Sequence, residues 1–247
     1  MENLKAGQID GFCVGEPWNS YAVQEEVGQI LITGYDIWNN SPEKVFGVTR
    51  EWAEKYPQTH LCLIRALIEA AIWIDKTENQ TRLAEILADE KYIGISKDVI
   101  MNSMSGIYEY LSNGEKITVP DFNIFHRYQA NYPWCSHACW IISQMYRWGQ
   151  IDEAIDIRET AEAVYRPDIY RKAAAQMGIE YPLANYKTEG EHDSSWTFRD
   201  EQGEFLLGAD CYLDGKQFDC EKLMDYLDCF EVSHIQVERE ALKKLNR

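Results

Sequence analysis

Short apolar runs of the kind that form buried strands occur only near the beginning of this chain. "IDGFCVG" at 9–15, "ILIT" at 30–33 and "EKVFGVT" at 43–49 each predict a short strand. From Thr49 onward, the apolar residues recur at helical spacing instead. An α/β domain normally alternates strand and helix throughout its length. The chain therefore has the organisation of the later part of an α/β fold, mostly helical with a few strands at its start.

Capping residues and apolar periodicity predict a series of helices after the third run. Thr49 is placed to cap a helix in "TREWAEKYP", and Ser96 is placed to cap one in "SKDVIMNSMSGIYEYL". Further on, Asp214-Gly215 predicts a hairpin, and "EALKKLNR" predicts a solvated terminal helix. The clearest helical pattern comprises Leu61, Ile64, Leu67, Ile68, Ala71 and Ile72.

Composition indicates a globular protein and excludes several classes of partner. The chain has 247 residues, of which 45% are hydrophobic, and a formal net charge of −17. That charge argues against nucleic acid and anionic membrane surfaces as partners. No apolar stretch reaches the roughly 20 residues of a transmembrane helix, and "MENLKAGQIDGF" lacks a signal-peptide pattern. Seven cysteines leave at least one unpaired, which fits a reducing compartment best.

Cys135, His137 and Cys139 lie within five consecutive residues and form a candidate metal or redox site. A zinc site normally needs a second ligand pair at a suitable distance, and a thioredoxin-like site needs C-x-x-C. The chain offers neither, since the next cysteine is Cys211. The alternative is a buried helix start, with Pro133 and Ser136 forming the cap and first turn. The spacing favours the buried helix.

Lys44 is a second candidate, in "NSPEKVFGVT". A lysine at the edge of a strand can project into a cleft and bind a small anion by a charge-assisted hydrogen bond. Alternatively, Lys44 is a surface residue paired with Glu43. The motifs of serine hydrolases, nucleotide-binding folds and zinc proteases are absent from the sequence.

Several blocks of the sequence follow one another in the order found in one protein family. They include "LKAGQIDGFCVGEPWN", "SPEKVFGVTREWAEKYP", "QMYRWGQI" and "AVYRPDIYRKAAAQMGI". With them the chain resembles the nitrate/bicarbonate-binding proteins of ABC importers. It is equally similar to the substrate-binding-like regulatory domain fused to the ATPase of those importers.

The resemblance implies an α/β, periplasmic-binding-protein-like type II fold, in which two lobes close on an anion. It also implies that the strands of the family's first lobe, and most of its second lobe, lie outside this chain. We therefore expect a fold truncated at the N-terminus. Residues 1–190 would form the hinge strand and the C-terminal half of the fold. Residues 191–247 would form a wrap-around segment and a helical tail.

Within the resemblance, a lysine of the "PEK" block contacts the anion in nitrate-type members and matches Lys44. Bicarbonate-type members resemble the pattern with an acidic residue there, so nitrate or nitrite is expected and bicarbonate is the weaker alternative. Glu16 and Trp18 follow the hinge strand and are expected to line the cleft. The implied role is binding rather than catalysis, without cofactor or metal, and the implied partners are ABC permease or ATPase subunits.

Two other functions stay open. The chain could be a degenerate fragment or an interaction protein that binds no ligand, or, as the weakest alternative, a Cys/His metalloprotein. The family pattern lacks cysteines at the positions of Cys135 and Cys139, which argues against the last. A regulatory domain would be cytoplasmic, whereas a solute-binding protein would lie at the periplasmic face of the membrane.

Overall fold

The computed structural model describes residues 2–119 and 121–246. Helices predominate in this part of the chain, and the four strands named below are short. The helices are α1 (Glu2–Lys5), α2 (Trp18–Gln24), α3 (Gly34–Ile37), α4 (Arg50–Lys55), α5 (Pro57–Ile74), α6 (Thr77–Leu87), α7 (Lys97–Ser105), α8 (Cys135–Arg147), α9 (Ile157–Val164), α10 (Pro167–Met177), α11 (Leu223–Asp228) and α12 (Arg239–Leu245). The strands are β1 (Ile107–Glu109), β2 (Lys116–Thr118), β3 (Trp196–Asp200) and β4 (Gly203–Leu207). No helix among the described residues has both the length and the apolar character needed to cross a membrane.

The predicted caps are confirmed. The Thr49 hydroxyl accepts a hydrogen bond from the backbone N–H of Trp52 at 3.2 Å, at the start of α4. The Ser96 hydroxyl accepts one from the N–H of Val99 at 3.4 Å, at the start of α7. Each bond satisfies a donor that the first helical turn would otherwise leave unpaired. These helix starts are therefore encoded by local sequence.

The chain divides into two compact units. Unit 1 comprises residues 1–40 and 70–127, and unit 2 comprises residues 41–69 and 128–247. The boundary predicted between residues 190 and 191 lies inside unit 2, and the assignment of 1–190 and 191–247 to separate segments stays a prediction.

Unit 1 is built around α6, α7 and the antiparallel β1–β2 pair. The apolar faces of the two helices meet, which removes Ala84, Val99 and Ile100 from water. Tyr108 of β1 is fully buried and its ring lies 4.5 Å from that of Phe122. Burying such side chains contributes about 1.5–3 kcal/mol each.

Unit 2 is built around α8, which packs against α9. Aromatic side chains fill much of its core, where the Trp134 ring lies 5.2 Å from Phe198 of β3. Strands β3 and β4 pair in antiparallel register, with Phe198 opposite Phe205. The predicted terminal helix exists as α12, but it is only partly solvated because Leu242 is fully buried.

The three strands predicted near the start are wrong as strand assignments. Residues 9–15, 30–33 and 43–49 belong to no sheet of the described chain. A strand exists only when a neighbour binds its N–H and C=O groups. The N–H of Ile30 donates to the carbonyl of Tyr110 at 3.0 Å, and the carbonyl of Thr49 accepts from the N–H of Ala53 at the start of α4, but neither bond belongs to a strand ladder.

The hairpin predicted at Asp214-Gly215 is also wrong. Gly215 does adopt a turn conformation, with φ of 67°, but no pair of strands flanks it in the described chain. The hairpin of this region is β3–β4, closed by Glu201 and Gln202. The turn therefore forms without a hairpin, whereas β3 has aromatic and β-branched residues that favour a strand and packs on Trp134 through Phe198.

Candidate functional site

Lys44 lies in unit 2, in the extended segment before α4. Its side chain is 82% exposed, and its ammonium lies 2.8 Å from a carboxylate oxygen of Glu43, which is itself 71% exposed. This is the surface pair of Lys44 and Glu43, one of the two alternatives that the sequence leaves open for Lys44. Exposed pairs of this kind contribute about 0–1 kcal/mol. The ammonium is therefore accessible and only weakly held by Glu43.

Glu16 and Trp18 belong to unit 1, around the start of α2. Glu16 is half-buried and accepts a hydrogen bond from the N–H of Ser20 at 3.3 Å. Burial raises the pKa of its carboxyl, because a charge is poorly solvated there. Trp18 is 38% exposed, with its ring edge-to-face on Tyr21 at 6.3 Å.

Cys135 and Cys139 are fully buried on one face of α8, which begins at Cys135. Ser136 lies in the first turn of α8 as predicted, whereas the cap position is occupied by Trp134, without a side-chain cap bond, and not by Pro133. The ring of His137 reaches a carboxylate oxygen of Glu189 at 3.4 Å instead. Among the described residues, no three histidine, cysteine or acidic side chains are arranged to hold a metal ion. The segment is the buried helix start that its spacing favours.

Glu189 is the centre of a buried polar cluster in unit 2, hereafter the Glu189 cluster. Its carboxylate accepts a hydrogen bond from the Ser136 hydroxyl at 2.7 Å, and its side chain is 1% exposed. The ammonium of Lys187 forms a close ion pair with it. The cluster comprises Ser136, His137, Lys187, Glu189, His192 and Asp210.

Asp210 connects the loop that contains Glu191 and His192 to the rest of the Glu189 cluster. One of its carboxylate oxygens accepts hydrogen bonds from the backbone N–H groups of Glu191 and His192, at 2.9 and 2.7 Å. The other lies 3.3 Å from the His192 ring, which stacks on Trp196 at 3.7 Å. His192 is therefore half-buried, although its polar neighbours predict an exposed loop.

The charges of the Glu189 cluster compensate one another. Burial by itself raises the pKa of Glu189, but the Lys187 ammonium and His137 outweigh that effect and lower the pKa to about 2. Glu189 is thus ionised and fully enclosed, with its partners already inside the protein. These contacts join the start of α8 to the loops around Glu189 and Asp210 within unit 2.

Unit 1 contains a cavity of about 280 Å³ beside the end of α5. Asp75 lines it and accepts hydrogen bonds from the backbone N–H groups of Phe125, His126 and Arg127 at 2.6–2.9 Å. The side chains of Gln80 and Asn123 donate to the carbonyls of Met104 and Ser103. These side chains are hydrogen-bonded to the protein's own backbone, and Asp75 holds the loop at residues 125–127 in place. The cavity is therefore not a distinctive candidate for an anion site.

Known proteins match this arrangement in sequence and in fold. Residues 1–88 match the NMT1-like family. The nitrate import ATP-binding protein NrtC of Synechocystis sp. is 43% identical over 178 residues, which are 72% of this chain and 27% of that protein. The nitrate/nitrite binding protein NrtA of Nostoc sp. is 29% identical over 244 residues, which are 95% of this chain and 50% of that protein.

A solved structure extends the likeness to the fold. The periplasmic nitrate-binding protein NrtA from Synechocystis PCC 6803 superposes with a TM-score of 0.80 and 26% identity, covering 94% of this chain and 56% of that chain. This chain therefore spans about half the length, or less, of the relatives it matches.

The fold is that of a periplasmic-binding-protein-like solute-binding domain, mostly helical with a few strands, and the predicted fold class is confirmed. The predicted resemblance to the nitrate/bicarbonate-binding proteins of ABC importers, or to the similar regulatory domain of the importer's ATPase, is confirmed. Relatives that match nearly all of it include nitrate/nitrite binding proteins and also a nitrate import ATP-binding protein, NrtC of Synechococcus elongatus, which is 32% identical over 94% of this chain and 32% of that protein. The assignment of Lys44, Glu16 and Trp18 to a ligand site stays a prediction.

Proposed function

We propose that this protein is a component of an ABC-type nitrate/nitrite import system, in which it binds or senses a small oxyanion without catalysing a reaction. The observation that carries the proposal is the likeness to a nitrate/nitrite binding protein over 95% of this chain. The agreement of fold with a nitrate-binding protein, at a TM-score of 0.80, supports it.

Lys44 is the residue we assign to the anion. The protein carries a net charge of −17, so an anion needs a local cation to approach it. The ammonium of Lys44 is exposed, and its pair with Glu43 is weak enough to be replaced by a nitrate oxygen. An oxyanion of the size of nitrate would accept its remaining hydrogen bonds from other donors.

Glu16 and Trp18 are assigned supporting roles on chemical grounds. Glu16 lies half-buried at the start of α2, where burial raises the pKa of its carboxyl and so lessens the repulsion that its charge would exert on an anion. The exposed indole of Trp18 adds an N–H donor that carries no charge. Neither group requires a metal or cofactor.

The partner of this chain in the import system is an ABC permease or an ATPase. The 43% identity to a nitrate import ATP-binding protein favours a regulatory domain that acts on the ATPase. The agreement of fold with a nitrate-binding protein favours a solute-binding role beside the permease. In both roles, ligand binding would be transmitted by a change in population between open and closed forms.

Isothermal titration calorimetry with nitrate, nitrite and bicarbonate tests the proposal. We expect heat with nitrate or nitrite, no heat for Lys44→Ala, and weaker or no heat with bicarbonate. Lys222→Ala is the matched control, because Lys222 is also exposed, at 71%, and also has an acidic neighbour, Asp219, at 3.7 Å. If neither nitrate nor nitrite produces heat with the unaltered protein, the chain does not bind these anions by itself. The alternative of an interaction protein without a ligand is then favoured.

A further inference from the structure

Two buried cysteines that lie far apart in the sequence meet in the core of unit 2. Cys139 lies in the second turn of α8. Cys220 begins a short 3₁₀ turn, Cys220–Lys222, which packs against α8 and is hereafter the 220–222 turn. The exposed fractions of the two residues are 0% and 7%, and both carry free thiols.

Glu189 holds the 220–222 turn against α8 on one side of the two cysteines. The hydroxyl of Ser136, three residues before Cys139, donates to the Glu189 carboxylate at 2.7 Å. The backbone of Glu189 exchanges two hydrogen bonds with that of Phe218, at 2.8 and 3.0 Å. Cys220 follows Phe218 by two residues, so these bonds place it beside the turn of α8 that carries Cys139.

Tyr226 holds the same elements together on the other side. The indole N–H of Trp140, which follows Cys139 in α8, donates to the Tyr226 hydroxyl at 2.9 Å. The Tyr226 ring in turn packs edge-to-face on Phe218, with ring centroids 4.9 Å apart. The approach of Cys139 to Cys220 is therefore fixed by contacts that do not involve sulfur.

The two thiols are hydrogen-bonded to each other. This bond is the largest cause of the raised pKa of Cys220, and burial of the thiol adds to it. The charge of Arg158 acts in the opposite direction, but it does not outweigh these effects. The Cys220 thiol is therefore protonated at neutral pH and reacts slowly while unit 2 is closed.

We propose that Cys139 and Cys220 are a site of disulfide formation, which joins α8 to the 220–222 turn when unit 2 folds in the presence of a small disulfide such as oxidised glutathione. The Cys220 thiolate, which belongs to the less buried residue, attacks one sulfur of the small disulfide and displaces a small thiol. The Cys139 thiolate then attacks the sulfur of Cys220 and displaces the second small thiol. The protons of the two protein thiols pass to the displaced thiols, and the two electrons reduce the small disulfide.

The fold favours the second of these steps. Two thiols held in contact react within one molecule, so their effective concentration is high. Cys135 is a poorer partner for Cys139, because both lie on one face of α8 and their Cα–Cβ bonds run parallel rather than toward each other. The alternative is that Cys139 and Cys220 pack only as small apolar groups and form no bond.

The disulfide would make the stability of unit 2 depend on the compartment. Disulfides persist in oxidising compartments such as the periplasm, whereas glutathione keeps cytosolic thiols reduced. A bond that closes a long loop limits the freedom of the unfolded chain and so stabilises the folded state. This property does not depend on the proposed function, since it requires no ligand.

Refolding of the full chain from urea in glutathione redox buffers tests the proposal. Digestion without reduction, followed by mass spectrometry, should yield two peptides joined through Cys139 and Cys220. The melting temperature should rise by about 5–10 °C and return to its original value after dithiothreitol is added. Long incubation of the folded, reduced protein in the same buffers should give the same link more slowly, because both thiols are buried.

Cys220→Ser and Cys135→Ser form a matched pair of variants, since both residues are buried in unit 2. Cys220→Ser should lose the link and the rise in melting temperature that the oxidant causes, and Cys135→Ser should keep both. The joined peptides are measured in the unaltered protein, so a serine variant that fails to fold does not prevent the test. Only free thiols and glutathione adducts, in both the refolded and the incubated protein, would overturn the proposal in favour of apolar packing. Links formed chiefly between other cysteines would also overturn it.

Discussion

The hydroxyl of Ser136 donates a hydrogen bond of 2.7 Å to the carboxylate of Glu189, which lies 53 residues further along the chain. This bond joins the first turn of α8 to the loop before β3. Both side chains are removed from water. The Ser136–Glu189 hydrogen bond therefore connects α8 to this loop within an otherwise aromatic core. Its strength depends on the neighbouring ion pair between Lys187 and Glu189.

Lys187→Met should destabilise the protein by about 3–5 kcal/mol, because it leaves the carboxylate of Glu189 buried without its main counter-charge. Urea unfolding followed by circular dichroism measures the change in free energy. Lys222→Met is the control, since that lysine is 71% exposed and should cost about 0–1 kcal/mol. Equal decreases in the free energy of unfolding of the two variants would show that the buried Lys187–Glu189 pair contributes no more to stability than an exposed pair.

The stability of the protein should fall in acid through Glu189. Its pKa is about 2 in the folded protein, against 4.5 for an unperturbed glutamate. A lowered pKa gives stability that is fully present above pH 4.5 and is lost as the pH falls toward 2, amounting to about 3 kcal/mol. In Glu189→Gln, the free energy of unfolding should change less between these pH values. Glu204→Gln is the control, because that side chain is 64% exposed. Its free energy of unfolding should change with pH as it does in the unaltered protein. The same pH dependence in all three proteins would contradict the assignment of this effect to Glu189.

The helix starts were predictable from the sequence because their causes are local. Thr49 and Ser96 each act on an N–H three residues away. The strand assignments at 9–15 and 43–49 failed because a strand also needs a neighbour, and periodicity does not report one. The apolar residues there predict buried strands, but the described chain leaves Val14, Val45 and Phe46 exposed.

The Glu189 cluster could not be predicted from the sequence. The stretch "KTEGEHD" is polar throughout and is typical of a solvated loop. Its burial follows from contacts with Ser136 and Asp210, which lie 53 residues before Glu189 and 18 residues after His192. Gly190, which lies among these charged residues, is the one residue that indicates a constrained backbone. A single glycine does not predict burial of the loop. Lys44, by contrast, was found through family resemblance, and its role awaits the titration with nitrate.

Gly190→Ala should destabilise the protein by about 3 kcal/mol or more, because two penalties combine. Gly190 has φ of +84°, and a Cβ there would lie 2.5 Å from both the Lys216 carbonyl and the Tyr212 ring. Gly178→Ala is a matched control, with φ of +68° and no atom within 4 Å of its Cβ. It should cost only about 1 kcal/mol for the backbone conformation. Thermal unfolding of the two variants measures the difference, and similar melting temperatures would refute the close approach at Gly190.

The seven cysteines should divide into reactive and protected sets when the folded protein is treated with Ellman's reagent. Cys13, Cys62 and Cys229 are exposed, Cys211 is intermediate, and Cys135, Cys139 and Cys220 are buried. Burial raises the pKa of Cys135 to about 12, so that thiol is both inaccessible and almost entirely protonated at neutral pH. We expect three thiols to react rapidly, Cys211 to react slowly, and the buried three to react only after unfolding. Cys13→Ser should remove one equivalent from the rapid phase, whereas Cys135→Ser should leave that phase unchanged. If Cys135 reacted as fast as Cys13, the start of α8 would open readily to solvent, contrary to its place in the core of unit 2.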